Sequence, residues 1–419
     1  MLGQQYRSRV VDAVVAEALA TAGAVLVEGP RACGKTMTCV NAAASCAFLD
    51  DPDVEQLLSI APKSLLEGEA PRLLDEWQLA PQLWNLVRRQ VDASTAKGRF
   101  LLTGSAVPAD DTTRHTGAGR VLRVRQRTMS WWEKNGSPAT AVSLAGLFDG
   151  RQPRTSTVTP ELDEVVSMLL QPGFPAMVDL SATQSATLLR AYAEEVTHTD
   201  VRRLADVRHE PVVVWQLLVA LARAVATDVS VQTLTADVRS VAPTITADTV
   251  SVYLDLLRRL FVVEAQRPWA PRLRSRARLR TSSKLHLVDP AFAAALLGAD
   301  ATRLRTDLNT LGLLFESAVV HDLAVLAGPL GGEVLHYRDS NGHEIDAVIT
   351  LPDGRWGAVE VKLGGLQVAA GARSLARAVE QVDTVTAGPP SFRLVVTGTG
   401  PTLVADDGTV TCPLVRLGP

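Results

Sequence analysis

Gly29 and Gly34 bracket four residues and are followed at once by Lys35 and Thr36, a spacing that constrains this chain more than any other feature in it. In such a loop the backbone N–H groups turn inward around phosphate oxygens, the Lys reaches the outer phosphates and the Thr hydroxyl holds Mg²⁺. Gly29, Pro30, Arg31, Ala32, Cys33, Gly34, Lys35 and Thr36 are therefore candidate nucleotide-binding residues. The loop works only between a strand and a helix, and both are legible. Ala24 to Glu28 mixes β-branched and small apolar residues as a buried parallel strand does. Residues 36–47 have the Ala-rich composition of a helix whose amino terminus faces the anion.

At 419 residues the chain is too long for one small core and predicts about two to four domains. With 47% hydrophobic and 21% charged residues it reads as ordinary globular protein. The longest apolar stretch, 212–226, is broken by Gln216 and Arg223 and falls short of the roughly 20 residues of a membrane span, so no membrane partner is expected. The amino terminus lacks the apolar core of a signal peptide. Four cysteines, among them Cys33, Cys39 and Cys46, fit neither a disulfide framework nor zinc spacing, which points to a reducing cytoplasm. A net charge of −3 argues against a protein that coats nucleic acid over its whole surface, while leaving room for a local basic site.

Up to about residue 130, apolar runs at 24–28, 47–49, 73–74, 100–103 and 121–124 alternate with helical patterns, as in a parallel sheet covered on both faces. The third run ends in Asp75 and Glu76, carboxylates at the strand edge where open α/β sheets bind ligands. Asp75 is expected to hold Mg²⁺ and Glu76 to polarise the attacking water as general base. The fourth run ends in Thr103, Gly104 and Ser105, and Ser105 is a candidate for contact with the γ-phosphate or the water. Arg114, Arg120, Arg123, Arg125 and Arg127 follow, and Arg120 is the candidate for an arginine lent by a neighbouring subunit of a homo-oligomer to stabilise transition-state charge.

GPRACGKT at 29–36, LLDEWQLAP at 73–81, LLTGS at 101–105, Gly119-Arg120, TMSWWE at 128–133 and PGFPAMV at 172–178 together resemble a large prokaryotic family of AAA-type ATP-binding proteins with a carboxy-terminal domain of unknown function. The resemblance covers nearly the whole chain. It implies an α/β multidomain protein: a P-loop AAA-type parallel-sheet ATPase core at 1–160, a helical lid at 161–207, a winged helix at 208–288 and a nuclease-like α/β domain at 289–419, with ATP and Mg²⁺ as ligands.

The residues support those parts. From Glu161 to Val207 the apolar spacing is helical, as in a lid. Helical patterns at 212–226, 231–238 and 246–260 precede two apolar turns at 261–264 and 285–288, the order of a winged helix-turn-helix. Between the turns, after Arg267, lie Arg272, Arg274, Arg276, Arg278 and Arg280, alternate positions that place guanidinium groups on one face of an extended wing to follow a DNA backbone.

Residues 335–338, 343–350 and 355–362 read as three strands, the last two joined through Pro352, Asp353 and Gly354 in a type I turn closed by a left-handed Gly. That loop length sets Asp346 opposite Glu360 and Glu344 opposite Lys362. Asp346 and Glu360 on one face would bind a hard divalent cation, Mg²⁺ or Mn²⁺, with Lys362 to orient or deprotonate water. The pattern is similar to the restriction-nuclease-like family, and Glu316 on a preceding helix matches that family's additional acidic position; Ile345 stands where the motif has Pro. Two classes of function follow: an ATP-dependent enzyme acting on DNA, or an ATP-driven switch whose terminal domain binds DNA or a protein partner without cutting.

Overall fold

The computed structural model describes residues 6–106, 117–137, 142–204, 210–271 and 282–419, which fall into two compact units. The first comprises the chain up to Thr128 with Phe174–Ala176 and Leu256–Val262. Its five strands, β1 (Ala24–Glu28), β2 (Ser45–Phe48), β3 (Arg72–Asp75), β4 (Phe100–Gly104) and β5 (Val121–Arg125), form a parallel sheet in the order β2-β3-β4-β1-β5. The period of two along each strand sorts their side chains. Leu26, Leu74 and Leu102 face one cluster with Leu83, Trp84 and Val87 of helix Gln82–Asp92. Val25, Val27, Leu73 and Leu101 face the other, with Val15 and Ala18 of helix Val11–Thr21 and Cys39 of helix Lys35–Ala42. Burial on both faces explains why the central strands β1 and β4 are almost wholly apolar, whereas the edge strand β5 carries exposed Leu122 and Arg123.

The helix after the phosphate loop ends at Ala42 rather than at 47, because the chain turns back into the sheet there. Ala44 N–H donates to the Pro71 carbonyl, and Ser45 then pairs with Arg72, which makes Ser45–Phe48 a strand.

The second unit comprises Met129–Gly173, Met177–Asp255 and Val263–Pro419. Its short strands β6 (Val142–Ser143), β7 (Val263–Gln266) and β8 (Lys284–Leu287) accompany a six-stranded mixed sheet of β9 (Glu333–Arg338), β10 (Glu344–Thr350), β11 (Trp356–Lys362), β12 (Arg393–Thr397), β13 (Leu403–Val404) and β14 (Val410–Pro413). The sheet order is β13-β14-β12-β11-β10-β9, β7 pairs antiparallel with β8, and a final strand, β15 (Leu417–Gly418), pairs with β6. Gly354 adopts a left-handed φ of 91°, and Leu351 N–H donates to the Arg355 carbonyl, which closes the β10–β11 hairpin at the expected turn. Helix Val368–Gln381 covers Trp356, Ala358 and Val348 through Leu375 and Ala378. Helix Leu308–Leu326 is the one helix among the described residues long and apolar enough to cross a membrane, yet Leu311, Leu314, Phe315 and Val319 on it are fully buried in the unit.

These units do not follow the expected boundaries. The first stops at Thr128, short of 160, because Trp131 packs edge-on against Phe315 and its N–H donates to Asp322 at 2.7 Å. Nor is 288 a seam in the packing. Trp269 belongs to the same core as Tyr337 and Trp356, its N–H donating to the His336 carbonyl at 2.6 Å.

Candidate functional site

The carboxyl ends of β1, β3 and β4 lie at one edge of the parallel sheet, and the loop from Gly29 to Thr36 starts there. Gly29 is obligatory for a steric reason: a Cβ there would lie 2.0 Å from the Gln126 carbonyl oxygen. Gly34 is obligatory for a conformational one, since it caps the following helix with a φ of 97°. Two contacts fix the loop from outside. Gln126 Nε2 donates to the Cys33 carbonyl at 3.2 Å and to Thr38 Oγ1 at 3.1 Å, and the Arg9 guanidinium donates to the Cys33 carbonyl at 2.9 Å. With that carbonyl tied back, the loop's N–H groups and the helix amino terminus are left to face an anion. Lys35 Nζ donates to the Pro30 carbonyl at 2.7 Å, Cys33 is buried, and Arg31 and Ala32 are exposed.

Beside the loop, Thr36 Oγ1 donates to Asp75 Oδ1 at 3.0 Å, and Thr103 Oγ1 donates to the same oxygen at 2.6 Å. Burial pushes the Asp75 carboxyl above the ordinary value, and the two hydroxyl donors work against it. Thr36 and Asp75 are a fitting pair for Mg²⁺ held together with nucleotide phosphates, since that ion takes few protein ligands. Glu76 has a left-handed φ of 55°, costly for a residue with a side chain, and Thr103 Oγ1 accepts its N–H at 2.8 Å. Its carboxylate accepts from Ser105 Oγ at 3.0 Å and from Gln78, whose Nε2 also donates to Ser105 Oγ at 3.0 Å. So Lys35, Thr36, Asp75, Glu76 and Ser105 gather at one sheet edge, with the Thr103 hydroxyl linking the Asp75 carboxylate to the Glu76 backbone N–H. Gln78, Gln126 and Arg9 were not singled out as members of this site: Gln126 and Arg9 come from distant parts of the chain, and Gln78, although inside the LLDEWQLAP stretch, has no role that its residue type alone announces.

Arg120 lies elsewhere. It precedes β5 at the opposite edge of the sheet, where its carbonyl accepts from Ala24 N–H and its Nε pairs with Asp92 at 2.5 Å. Within its own chain it therefore does not serve the phosphate loop. Arg123 pairs with Glu28 at 2.8 Å and Arg125 stacks over Phe261 at 4.0 Å. Arg114, Arg272, Arg274, Arg276, Arg278 and Arg280 lie outside the described residues.

In the second unit the expected register holds from Ala347 opposite Val359 to Thr350 opposite Trp356, but the ladder stops short of Asp346 and Glu360. A bulge on the β9 side between Ile345 and Val348 intervenes, and Asp346 Oδ2 accepts the Val361 N–H at 2.8 Å. Glu360 pairs with Lys362 at 2.7 Å. Glu316 approaches from helix Leu308–Leu326, as expected, but it is taken by a residue the sequence did not single out: Lys284 Nζ lies 2.8 Å from Glu316 and 3.4 Å from Glu344. Among the described residues no group of three or more His, Cys, Asp and Glu side chains is arranged to hold a metal ion. No divalent-metal site is therefore seen where Glu316, Asp346 and Glu360 were expected to form one, and each of these carboxylates has a lysine or backbone partner instead.

Burial raises Glu316 and Glu360 to about 7, with the Asp346 charge adding to it, while the partner lysines oppose the shift. Burial drives His286 down to about 3, so it is neutral. A carboxyl whose folded pKa exceeds its unfolded value binds its proton more tightly when folded, so it costs stability as pH rises from about 4.5 to about 7. Unfolding in urea should therefore show the second unit losing on the order of 1 kcal/mol or more across that window, and Glu316→Gln with Glu360→Gln should flatten the profile. A profile unchanged by both substitutions would contradict the burial argument.

Comparison with known proteins gives three family matches: an AAA domain at residues 21–134, a domain of unknown function (DUF8612) at 162–303 and a second one (DUF4143) at 311–417. Uncharacterized proteins of Mycobacterium tuberculosis and Mycobacterium bovis are each 28% identical over 351 residues, covering 82% of this chain and 71% of the relative. A solved Walker-type ATPase of Pyrococcus abyssi is 13% identical at a TM-score of 0.43, over 70% of this chain and 96% of that one, a likeness too distant to argue from. The parallel sheet, the phosphate loop at its edge and the matching domain agree: the first unit carries a P-loop ATPase domain of the AAA type.

Proposed function

We propose that this chain binds Mg·ATP at residues 29–36 and hydrolyses it, using the nucleotide cycle to switch a DNA-contacting or protein-binding output. The observation that carries the reading is the bonded series Thr36, Asp75, Thr103, Glu76 and Ser105 beside the phosphate loop. Lys35 exchanges its bond to the Pro30 carbonyl for the β- and γ-phosphates. Mg²⁺, when bound with the nucleotide, neutralises phosphate charge. Glu76 orients the attacking water and takes its proton, and Ser105 and Gln78 hold the carboxylate in place. Lys35→Ala removes a point charge from a cradle otherwise made of N–H groups, and calorimetry should show ATP affinity falling by about two orders of magnitude or more. Affinity equal to the parent's would end this reading. Because Arg120 lies at the far sheet edge, its proposed role requires a second copy of the chain to present it.

For the output, the three helices Pro211–Arg223, Val231–Val238 and Ala247–Arg259, followed by the β7–β8 hairpin, support a winged-helix reading in which the arginines at 272–280 meet DNA phosphates. Changing Arg274, Arg276 and Arg278 to Ala should then weaken binding to duplexes of any sequence and lower the slope of log affinity against log salt by about 0.9 per arginine. An unchanged slope would leave a protein partner as the output. Phosphodiester cleavage stays outside this proposal, because the carboxylates that would need to share a cation are each otherwise engaged.

A further inference from the structure

Four carboxylates, Glu316, Glu344, Asp346 and Glu360, gather in the second unit around two ammonium groups, Lys284 and Lys362. Lys362 comes from the same strand as its partner Glu360, and its side chain is 28% exposed at the strand end. Lys284 is different: its side chain is only 8% exposed and it comes from β8, far from the others in sequence. Nor is it a long side chain that merely swings in. Its ladder partner Gln266 donates to the Asp346 carbonyl at 2.8 Å and to the Leu335 carbonyl at 3.0 Å. Two residues further along β8, His286 bonds to Ser317 Oγ at 3.1 Å and to Gln266 Oε1 at 3.2 Å. The hairpin is thus pinned to β10 on one side of Lys284 and to the helix carrying Glu316 on the other.

We propose that Lys284 is a built-in cation: it supplies, from the chain itself, the positive charge that a divalent metal would supply between Glu316, Glu344 and Asp346, so that this domain folds and works without a metal ion. A carboxylate as buried as Glu316 is costly unless it is neutralised, and the ammonium hydrogen-bonded to it at 2.8 Å, and 3.4 Å from the more exposed Glu344, supplies that charge. A divalent cation placed on Glu316 and Asp346 would lie against Lys284 Nζ, and two like charges that close in a poorly solvated site repel strongly. The pinned hairpin leaves the ammonium no easy retreat. The consequence is functional: with Lys284 in place these acidic groups lack the ion that phosphodiester cleavage by them would require, which suits the domain to binding. This inference does not depend on ATP hydrolysis by the first unit, and its test does not involve nucleotide.

Mn²⁺ binding to the full-length chain, counted by the electron paramagnetic resonance of the free ion, tests it without reference to activity. Asp75→Asn is included throughout so that the phosphate-loop site adds no signal. With Lys284 intact we expect no Mn²⁺ bound at sub-millimolar concentration. Lys284→Gln should create one site, tighter on the order of tenfold or more, and Asp346→Asn should abolish it again. Lys284→Arg keeps the charge and should stay free of Mn²⁺. An Asp346-dependent site in the chain with Lys284 intact overturns the proposal, as does a Lys284→Gln chain that folds yet gains no site. Should Lys284→Gln fail to fold in chelator, recovery of the folded state on refolding with Mn²⁺ supports the proposal and failure to recover overturns it.

Discussion

Glu76→Gln is expected to bind ATP as tightly as the parent protein and to turn it over at least about a hundredfold more slowly. The substitution keeps the size of the side chain and its capacity to accept from Ser105 Oγ, now 3.0 Å from the carboxylate, so the resting geometry should survive. What it removes is the ability to take a proton from the attacking water, a contribution of about 10²- to 10⁴-fold in rate. Nucleotide affinity rests on other groups, Lys35 and the N–H groups of the loop, and should not follow. The backbone argues for the assignment independently. Glu76 is held in the left-handed region, with its N–H on Thr103 Oγ1 at 2.8 Å, and a strained conformation at the end of a strand persists only when its surroundings enforce it. Thr103 bonds both Asp75 and Glu76, so Thr103→Val should impair turnover as well, and unlike Glu76→Gln it should also weaken the dependence on Mg²⁺. Phosphate release by Glu76→Gln within tenfold of the parent would place the general base elsewhere.

Trp356→Ala should cost the second unit about 3–5 kcal/mol, measured as a lower urea midpoint for that unit's unfolding. The side chain is 1% exposed, and its ring lies 4.6 Å from that of Trp269 within a cluster that also contains Tyr337, Val348 and Leu375. Truncation would leave a cavity bounded by β-sheet on one side and helix Val368–Gln381 on the other, neither of which can collapse without breaking ladder bonds. It would also strand the Gly388 carbonyl, which accepts from Trp356 Nε1 at 3.1 Å. Trp269 comes from the segment just after β7, so the same substitution should loosen the β7–β8 hairpin. A loss below about 1 kcal/mol would mean that the core closes over the gap, and the hairpin would then be held by its polar contacts alone.

The phosphate loop was readable because everything it needs is contiguous. Eight successive residues set its backbone, the apolar run before it can only be a buried strand, and Asp75 and Glu76 were placed by the rule that ligands meet parallel strands at their carboxyl ends. The turn at Pro352–Gly354 was equally local, and it carried the β10–β11 register with it from Ala347 to Thr350. Beyond that register local rules ran out. A bulge next to Asp346 depends on β9 and on the segment that packs along it, and turn geometry contains no information about either.

The same limit separates Lys35 from Lys284. Lys35 belongs to a motif, whereas Lys284 is a single lysine at the start of an apolar strand, and only the docking of the β7–β8 hairpin brings it to Glu316 and Glu344. Arg120 makes the point in reverse: it sits in an arginine-rich stretch leading into the strand beside β1, but that strand runs parallel to β1 and so begins at the edge of the sheet opposite the phosphate loop. By itself, then, the sequence determined the features that a few consecutive residues specify through backbone geometry and hydrophobic period. Tertiary structure decided which distant charges meet, because pairing between them depends on how strands and helices dock, and burial then sets whether such a cluster carries protons, lysines or a metal.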